Sequence, residues 1–174
     1  MGTPKALLSL NNETFASRLV RVLGIVAQPV ILVTGAHPGI SVPGAQMIHN
    51  PDWQEGQLTS LQTGLRALGP EIPAAFFCPV DCPLFTEQTV RLLWEKFEEK
   101  NSPFIIPRKK DKRGHPVLAS RKMMDEICAL PPSGQARDVV HAYVDQTIYI
   151  DVEDEGIFAD IDTPEDYEAL RRHP

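Results

Sequence analysis

The sequence predicts an α/β fold: a mostly parallel sheet with helices on both faces. Three observations carry this. Short β-branched or aromatic runs alternate with segments of helical periodicity along the whole chain. The most apolar run, Ala74-Ala75-Phe76-Phe77-Cys78-Pro79-Val80, sits between Pro73 and Asp81-Cys82-Pro83 and has no polar face. That is the pattern of a strand covered on both sides. The unusual polar residues also fall where strands should end, the edge at which open α/β sheets bind ligands.

Taken in order, Met1-Gly2-Thr3-Pro4-Lys5 reads as a Gly/Pro loop, followed by the apolar run Ala6-Leu7-Leu8. Asn11-Asn12-Glu13 is a turn, and Thr14 is an N-cap. The helix it starts aligns Phe15, Leu19, Val22 and Leu23 on one face and stops near Gly24. Residues 29–34 form a buried strand and 46–49 a shorter one, followed by a polar loop from Asn50 to Gly56. A helix runs from about Ser60 to Leu68. After the 74–80 strand, Thr86 caps a helix whose inner stripe is Val90, Leu93, Trp94 and Phe97. Phe104-Ile105-Ile106 is a strand stopped by Pro107, and Arg108 to Arg113 a solvated basic loop. A strand at 117–119, a helix at 122–130 and a short helix near 139–143 follow. Residues 147–152 alternate like an edge strand, and 156–161 read as the last strand. Thr163, Pro164 and Asp166 form a capping box with proline at the first helical position, opening a final helix. No repeat, linker or low-complexity segment divides the chain, so residues 1–174 are expected to form one domain.

The net charge of −6 speaks against a general nucleic-acid footprint, which needs a basic surface. No apolar run approaches the ~18 residues of a membrane span, and no signal-peptide pattern opens the sequence. Cys78, Cys82 and Cys128 lack zinc-ribbon spacing and read as free thiols of a reducing, cytoplasmic compartment.

Asp81, just past the central strand, is a candidate divalent-metal ligand, and Asp160 a candidate second one. Carboxylates from two strand ends can share one Mg²⁺, which takes one or two carboxylates plus phosphate and water oxygens. Asp162 reads better as a turn residue before the helix cap. Lys5 is either a phosphate contact or a solvated lysine. His115 either meets a substrate or bonds the backbone of a turn. Trp53 either stacks on a ring or plugs the core edge. Ser60 can cap a helix and contact a nucleoside at once.

Together the motifs resemble the nucleotidyltransferase family that includes molybdenum cofactor cytidylyltransferase and guanylyltransferase. The matching stretches are Met-Gly-Thr-Pro-Lys (1–5), Asn-Pro-Asp-Trp (50–53) with Gly56, Ser60 and Gly64, Pro-Val-Asp-Cys-Pro (79–83), Arg-Gly-His-Pro-Val (113–117) and Asp-Ile-Asp-Thr-Pro-Glu-Asp (160–166). The resemblance implies a Rossmann-like, nucleotide-diphospho-sugar transferase-like sheet that binds a nucleoside triphosphate and Mg²⁺. Lys5 would contact the phosphates, with Asn50, Gly56 and Ser60 on the nucleotide side. Asp81 and Asp160 would hold the metal. Trp53, Gly114 and His115 would face a phosphorylated acceptor such as molybdopterin. Pro4-Lys5 and Gly114-His115-Pro116 resemble the cytidylyl branch, so CTP is expected ahead of GTP.

The family pattern opens with a strand and a phosphate loop of the type Leu-Ala-Ala-Gly-x-Ser-x-Arg, whereas this sequence starts at the Met-Gly. The expected fold therefore lacks the first strand and phosphate loop. Either the true start lies upstream, or a homodimer fills the gap by exchange, or the chain is a non-catalytic nucleotide-binding domain. A sugar-1-phosphate nucleotidyltransferase is the nearest alternative chemistry.

Overall fold

The computed structural model describes residues 3–172, so the Met1-Gly2 part of the first motif lies outside the described residues. Lys5–Leu7 form a single 3₁₀ turn. A small hairpin follows, β1 (Ser9–Leu10) and β2 (Glu13–Thr14), turned by Asn11 and Asn12 at φ of 51° and 65°. Asparagine tolerates this left-handed pair, and its twist suits a two-residue hairpin. Helix α1 (Phe15–Leu23) begins where Thr14 Oγ1 accepts the Ser17 amide at 3.1 Å, and it ends at Gly24.

Strands β3 (Val30–Thr34) and β4 (Ala45–His49) pair in parallel. Helix α2 (Gln57–Arg66) starts three residues earlier than expected. Gly56 turns the chain at φ 118°, and the Thr59 hydroxyl donates to its carbonyl at 2.9 Å, so the first turn is already closed at Gln57. Strand β5 (Ala74–Phe77) leads to the Asp81 turn, and α3 (Glu87–Lys100) is capped by Thr86. Next come β6 (Phe104–Lys109), β7 (Lys112–Arg113), β8 (Val117–Ser120), α4 (Arg121–Ala129), α5 (Ala136–Ala142), β9 (Ile148–Asp151) and α6 (Pro164–Arg172).

The larger sheet runs β5-β8-β6, with β7 and β9 also on β6. Strand β8 is antiparallel to both neighbours, and β9 is parallel to β6. Hence β5, β6 and β9 share one direction and β8 opposes them. Side chains of β6 alternate between layers. Phe104 and Ile106 pack with Leu58, Leu65, Met123, Met124 and Ile127, while Ile105 packs with Leu93, Phe97 and Leu118. Helices therefore cover both faces.

Three local expectations are corrected. Residues 156–161 are not a strand, because Glu155–Phe158 form a 3₁₀ turn. The Asp154 carboxylate accepts the Gly156 amide at 2.9 Å and caps that turn, and Ile157 is buried as a plug rather than as part of a ladder. Pro107 does not end β6, because the β6–β9 ladder runs through it and its carbonyl accepts the Gly114 amide at 2.9 Å. The basic segment is largely exposed from Lys110 to Arg113, but it is not a loop. It is the β6–β7 hairpin, turned at Lys110-Asp111, with Arg108 paired to Asp151 and Lys109 to Glu153 and Glu155.

Between the two sheets the structure is open. A slot of about 1160 Å³ is lined by β3 on one wall and β5 on the other, between Leu19 and Leu23 of α1 and Leu58, Leu61 and Leu65 of α2. Among the described residues, β3 pairs only with β4 and β5 only with β8.

Candidate functional site

The site forms at the carboxyl end of β5, where the chain turns at Pro79-Val80-Asp81-Cys82. The turn is closed by the Cys82 amide on the Pro79 carbonyl at 3.3 Å. The Ile161 amide donates to the Asp81 carbonyl at 2.9 Å, and this main-chain bond brings the segment after the 155–158 turn against Asp81. Ligand atoms of Asp81, Cys82 and Asp160 then lie within 4.8 Å of one another. Lys5 reaches the same point from its 3₁₀ turn. Its Nζ is 2.8 Å from Asp81 Oδ2 and also pairs with Asp162.

Three carboxylates and one ammonium leave the cluster with a negative excess. Partial burial works against the Lys5 charge, but the bonds to Asp162 and Asp81 outweigh it and raise the Lys5 pKa. Asp160 is raised above the ordinary aspartate value by desolvation, then by the nearby Asp81 and Asp162 charges. Burial, followed by the Asp81 charge, pushes the Cys82 thiol up to about 12, so it stays protonated at neutral pH. The available donors are therefore hard carboxylate oxygens, which suit Mg²⁺ rather than a thiolate-seeking metal.

Gly114 and His115 approach from the other side. A Cβ on Gly114 would lie 2.4 Å from the Ile157 carbonyl oxygen, so only glycine fits there. The His115 amide donates to that same carbonyl at 2.9 Å. The imidazole lines the slot, and its Nδ1 is buried without a partner among the described residues. Burial lowers the His115 pKa against the opposing pull of Asp81 and of a bond to the Phe77 backbone. At neutral pH the ring is thus an uncharged hydrogen-bonding group.

The remaining candidates divide into two groups. Gly56 and Ser60 line the same cavity as Asp81, Gly114 and His115. Asn50 is 1% exposed. Its Nδ2 donates to Thr59 Oγ1 and Ser60 Oγ, each at 3.0 Å, and its Oδ1 accepts the Asp52 amide at 3.0 Å. These bonds fix Ser60 at the start of α2. Trp53 lies against Gly35, where a glycine Cβ would be 2.6 Å from the Trp53 Cβ. It stays 40% exposed and does not line the cavity that holds Gly114 and His115. Sequence reasoning missed the place of Asp162, whose carboxylate meets Lys5 rather than serving only as a turn residue. The two-residue spacing of Asp160 and Asp162 was the available signal.

Residues 1–147 match the MobA-like NTP transferase domain. The chain belongs to this family. Asp160 and Asp162 lie beyond the matched residues. The MobA-like chain is 26% identical over 173 residues to molybdenum cofactor cytidylyltransferase of Escherichia coli K12, covering 96% of this chain and 86% of that one. Among solved structures it resembles Rv0371c of Mycobacterium tuberculosis H37Rv, with a TM-score of 0.81 at 21% identity over 100% of this chain and 92% of that one. It also resembles molybdopterin-guanine dinucleotide biosynthesis protein A of Archaeoglobus fulgidus, with a TM-score of 0.71 at 17% identity, covering 98% and 90% of the two chains. No helix among the described residues is long and apolar enough to cross a membrane.

Proposed function

We propose that this MobA-like transferase moves a nucleoside monophosphate, with CTP as the preferred donor, onto a phosphorylated cofactor precursor of the molybdopterin type. The observation that carries the reading is the meeting of Asp81, Asp160 and Lys5 at one point on the carboxyl edge of the sheet. Mg²⁺ bound by the two carboxylates would supply charge neutralisation for the triphosphate.

The chain's own part is positioning and charge. Lys5 exchanges its carboxylate partners for phosphate oxygens. Ser60, fixed by Asn50, offers a hydroxyl on the nucleotide side. The neutral His115 and the close-packed Gly114 shape the acceptor side. An acceptor phosphate oxygen forms the new bond to the α-phosphorus, the bond to the β-phosphate oxygen breaks, and pyrophosphate departs with that electron pair. Little covalent work is left to the protein.

Pyrophosphate release should be measured with CTP and GTP, each with molybdopterin or a sugar 1-phosphate as acceptor. CTP with the pterin is expected to be fastest, and Asp81→Ala is expected to lose at least about 100-fold. Undiminished activity in that variant would overturn the metal assignment, and preference for the sugar phosphate would move the acceptor class. The open slot favours a second reading, a nucleotide-binding domain without turnover. Thermal stabilisation by CTP and Mg²⁺ in the absence of pyrophosphate release would select it.

A further inference from the structure

We propose that the Lys5 ammonium is an internal counter-ion that keeps a divalent metal off Asp81 until an oxyanion draws the lysine away. The site then takes its metal with or after a triphosphate, and not before it. The proposal rests on the reading of Asp81 and Asp160 as the metal's carboxylates, and not on the transfer step.

The pairing carries it. Lys5 Nζ lies 2.8 Å from Asp81 Oδ2 and also pairs with Asp162. Of the three carboxylates at this point, Asp160 alone forms no ion pair among the described residues. A metal arriving by itself therefore meets one unpaired carboxylate. Mg²⁺ holds its oxygens at about 2.0–2.1 Å. The Asp81 oxygen that Lys5 occupies cannot enter such a shell without setting two cations side by side, and like charges at that distance repel strongly in a partly buried site.

The lysine is the partner that can move. Its main chain is fixed by a 3₁₀ turn, in which the Leu7 amide donates to the Pro4 carbonyl at 2.9 Å and the Leu8 amide to the Lys5 carbonyl at 3.1 Å. The four-carbon stem beyond it still pivots. Asp81 is tied more closely. Its carbonyl accepts the Ile161 amide at 2.9 Å, and the Cys82 amide closes the turn onto Pro79 at 3.3 Å.

Phosphate oxygens are the ligand that takes an ammonium from a carboxylate by offering it equally charged acceptors. Once Lys5 has turned to them, Asp81 stands free beside Asp160. Oxyanion and metal thus raise each other's affinity by one common factor.

The test uses the intact chain with Mn²⁺ as the metal probe, free Mn²⁺ being counted by electron paramagnetic resonance without nucleotide. Lys5→Met is expected to bind Mn²⁺ at least about tenfold more tightly than the unaltered chain. Lys5→Arg keeps a cation there and should stay within about twofold of the unaltered chain. Binding of CTP in the presence of EDTA, followed by equilibrium dialysis, should weaken at least about tenfold in Lys5→Met. Opposite changes for the two ligands are what a lysine that merely supports the fold would not produce.

Equal Mn²⁺ affinity in Lys5→Met and the unaltered chain, with Asp81→Asn abolishing it, would overturn the proposal and leave the metal reading standing. Weakening of both ligands in Lys5→Met would also overturn it. Mn²⁺ binding to Lys5→Met that survives a second change, Asp81→Asn, would overturn the metal reading and the proposal with it. Turnover enters none of these measurements, so failure of the transferase reading is separable from all of them.

Discussion

Asp160 is the residue whose titration the fold disturbs in the informative direction. Desolvation and the charges of Asp81 and Asp162 raise its pKa, so the folded state holds the proton more tightly than the unfolded one. Stability contributed by that proton is present at low pH. It is lost as pH rises from the ordinary aspartate range through the raised value, and it stays lost above. Asp160→Asn is therefore expected to raise Tm slightly at pH 7 and leave it unchanged near pH 3, while reducing stabilisation by Mg²⁺; paired thermal melts check this. At this scale the sequence was only partly legible. The carboxylates at strand ends could be picked out by pattern. That Lys5 pairs with Asp162, 157 residues away, has no local trace. The family resemblance placed Asn50 on the nucleotide side. Within the chain its amide bonds Thr59 and Ser60, at 3.0 Å each, and those contacts depend on where α2 begins.

Between elements, Asp154 holds the site's supports together. One carboxylate oxygen accepts the Thr86 amide at 2.7 Å and the Thr86 and Thr89 hydroxyls at 2.9 and 2.6 Å, tying down the start of α3. The other accepts Gly156 at 2.9 Å and shapes the turn beneath Gly114 and His115. Asp154→Ala is expected to cost about 2 kcal/mol and to lower Tm by about 4–8 °C, measured by denaturant titration and melting. Most element types could be read from the sequence, because Thr14, Thr86 and Thr163 announce helices through local hydrogen bonding. The 156–161 segment misled because an apolar plug and a buried strand share the same composition. Pro107 misled because a proline can stay in a ladder when its missing donor is not required there.

Across the whole molecule, the slot leaves apolar strand surface open that an uninterrupted sheet would bury. The folded chain is expected to enhance the fluorescence of an apolar dye such as ANS under native conditions. A chain that binds no dye while keeping native near-UV dichroism would mean the two sheets close on each other in solution. The width and lining of the slot depend on how α1 and α2 hold the two sheets apart. The cluster at the carboxyl edge has one more consequence. Lys5 pairs with partners 76 and 157 residues along the chain, and the Ile161 amide closes on Asp81. The site is thus a clasp between the early and late parts of the chain, and such long-range closures tend to form late in folding. Any ligand that grips Lys5 and the carboxylates together also fastens the α6 segment to the body, so occupancy and protection of that segment from proteolysis should rise and fall as one quantity.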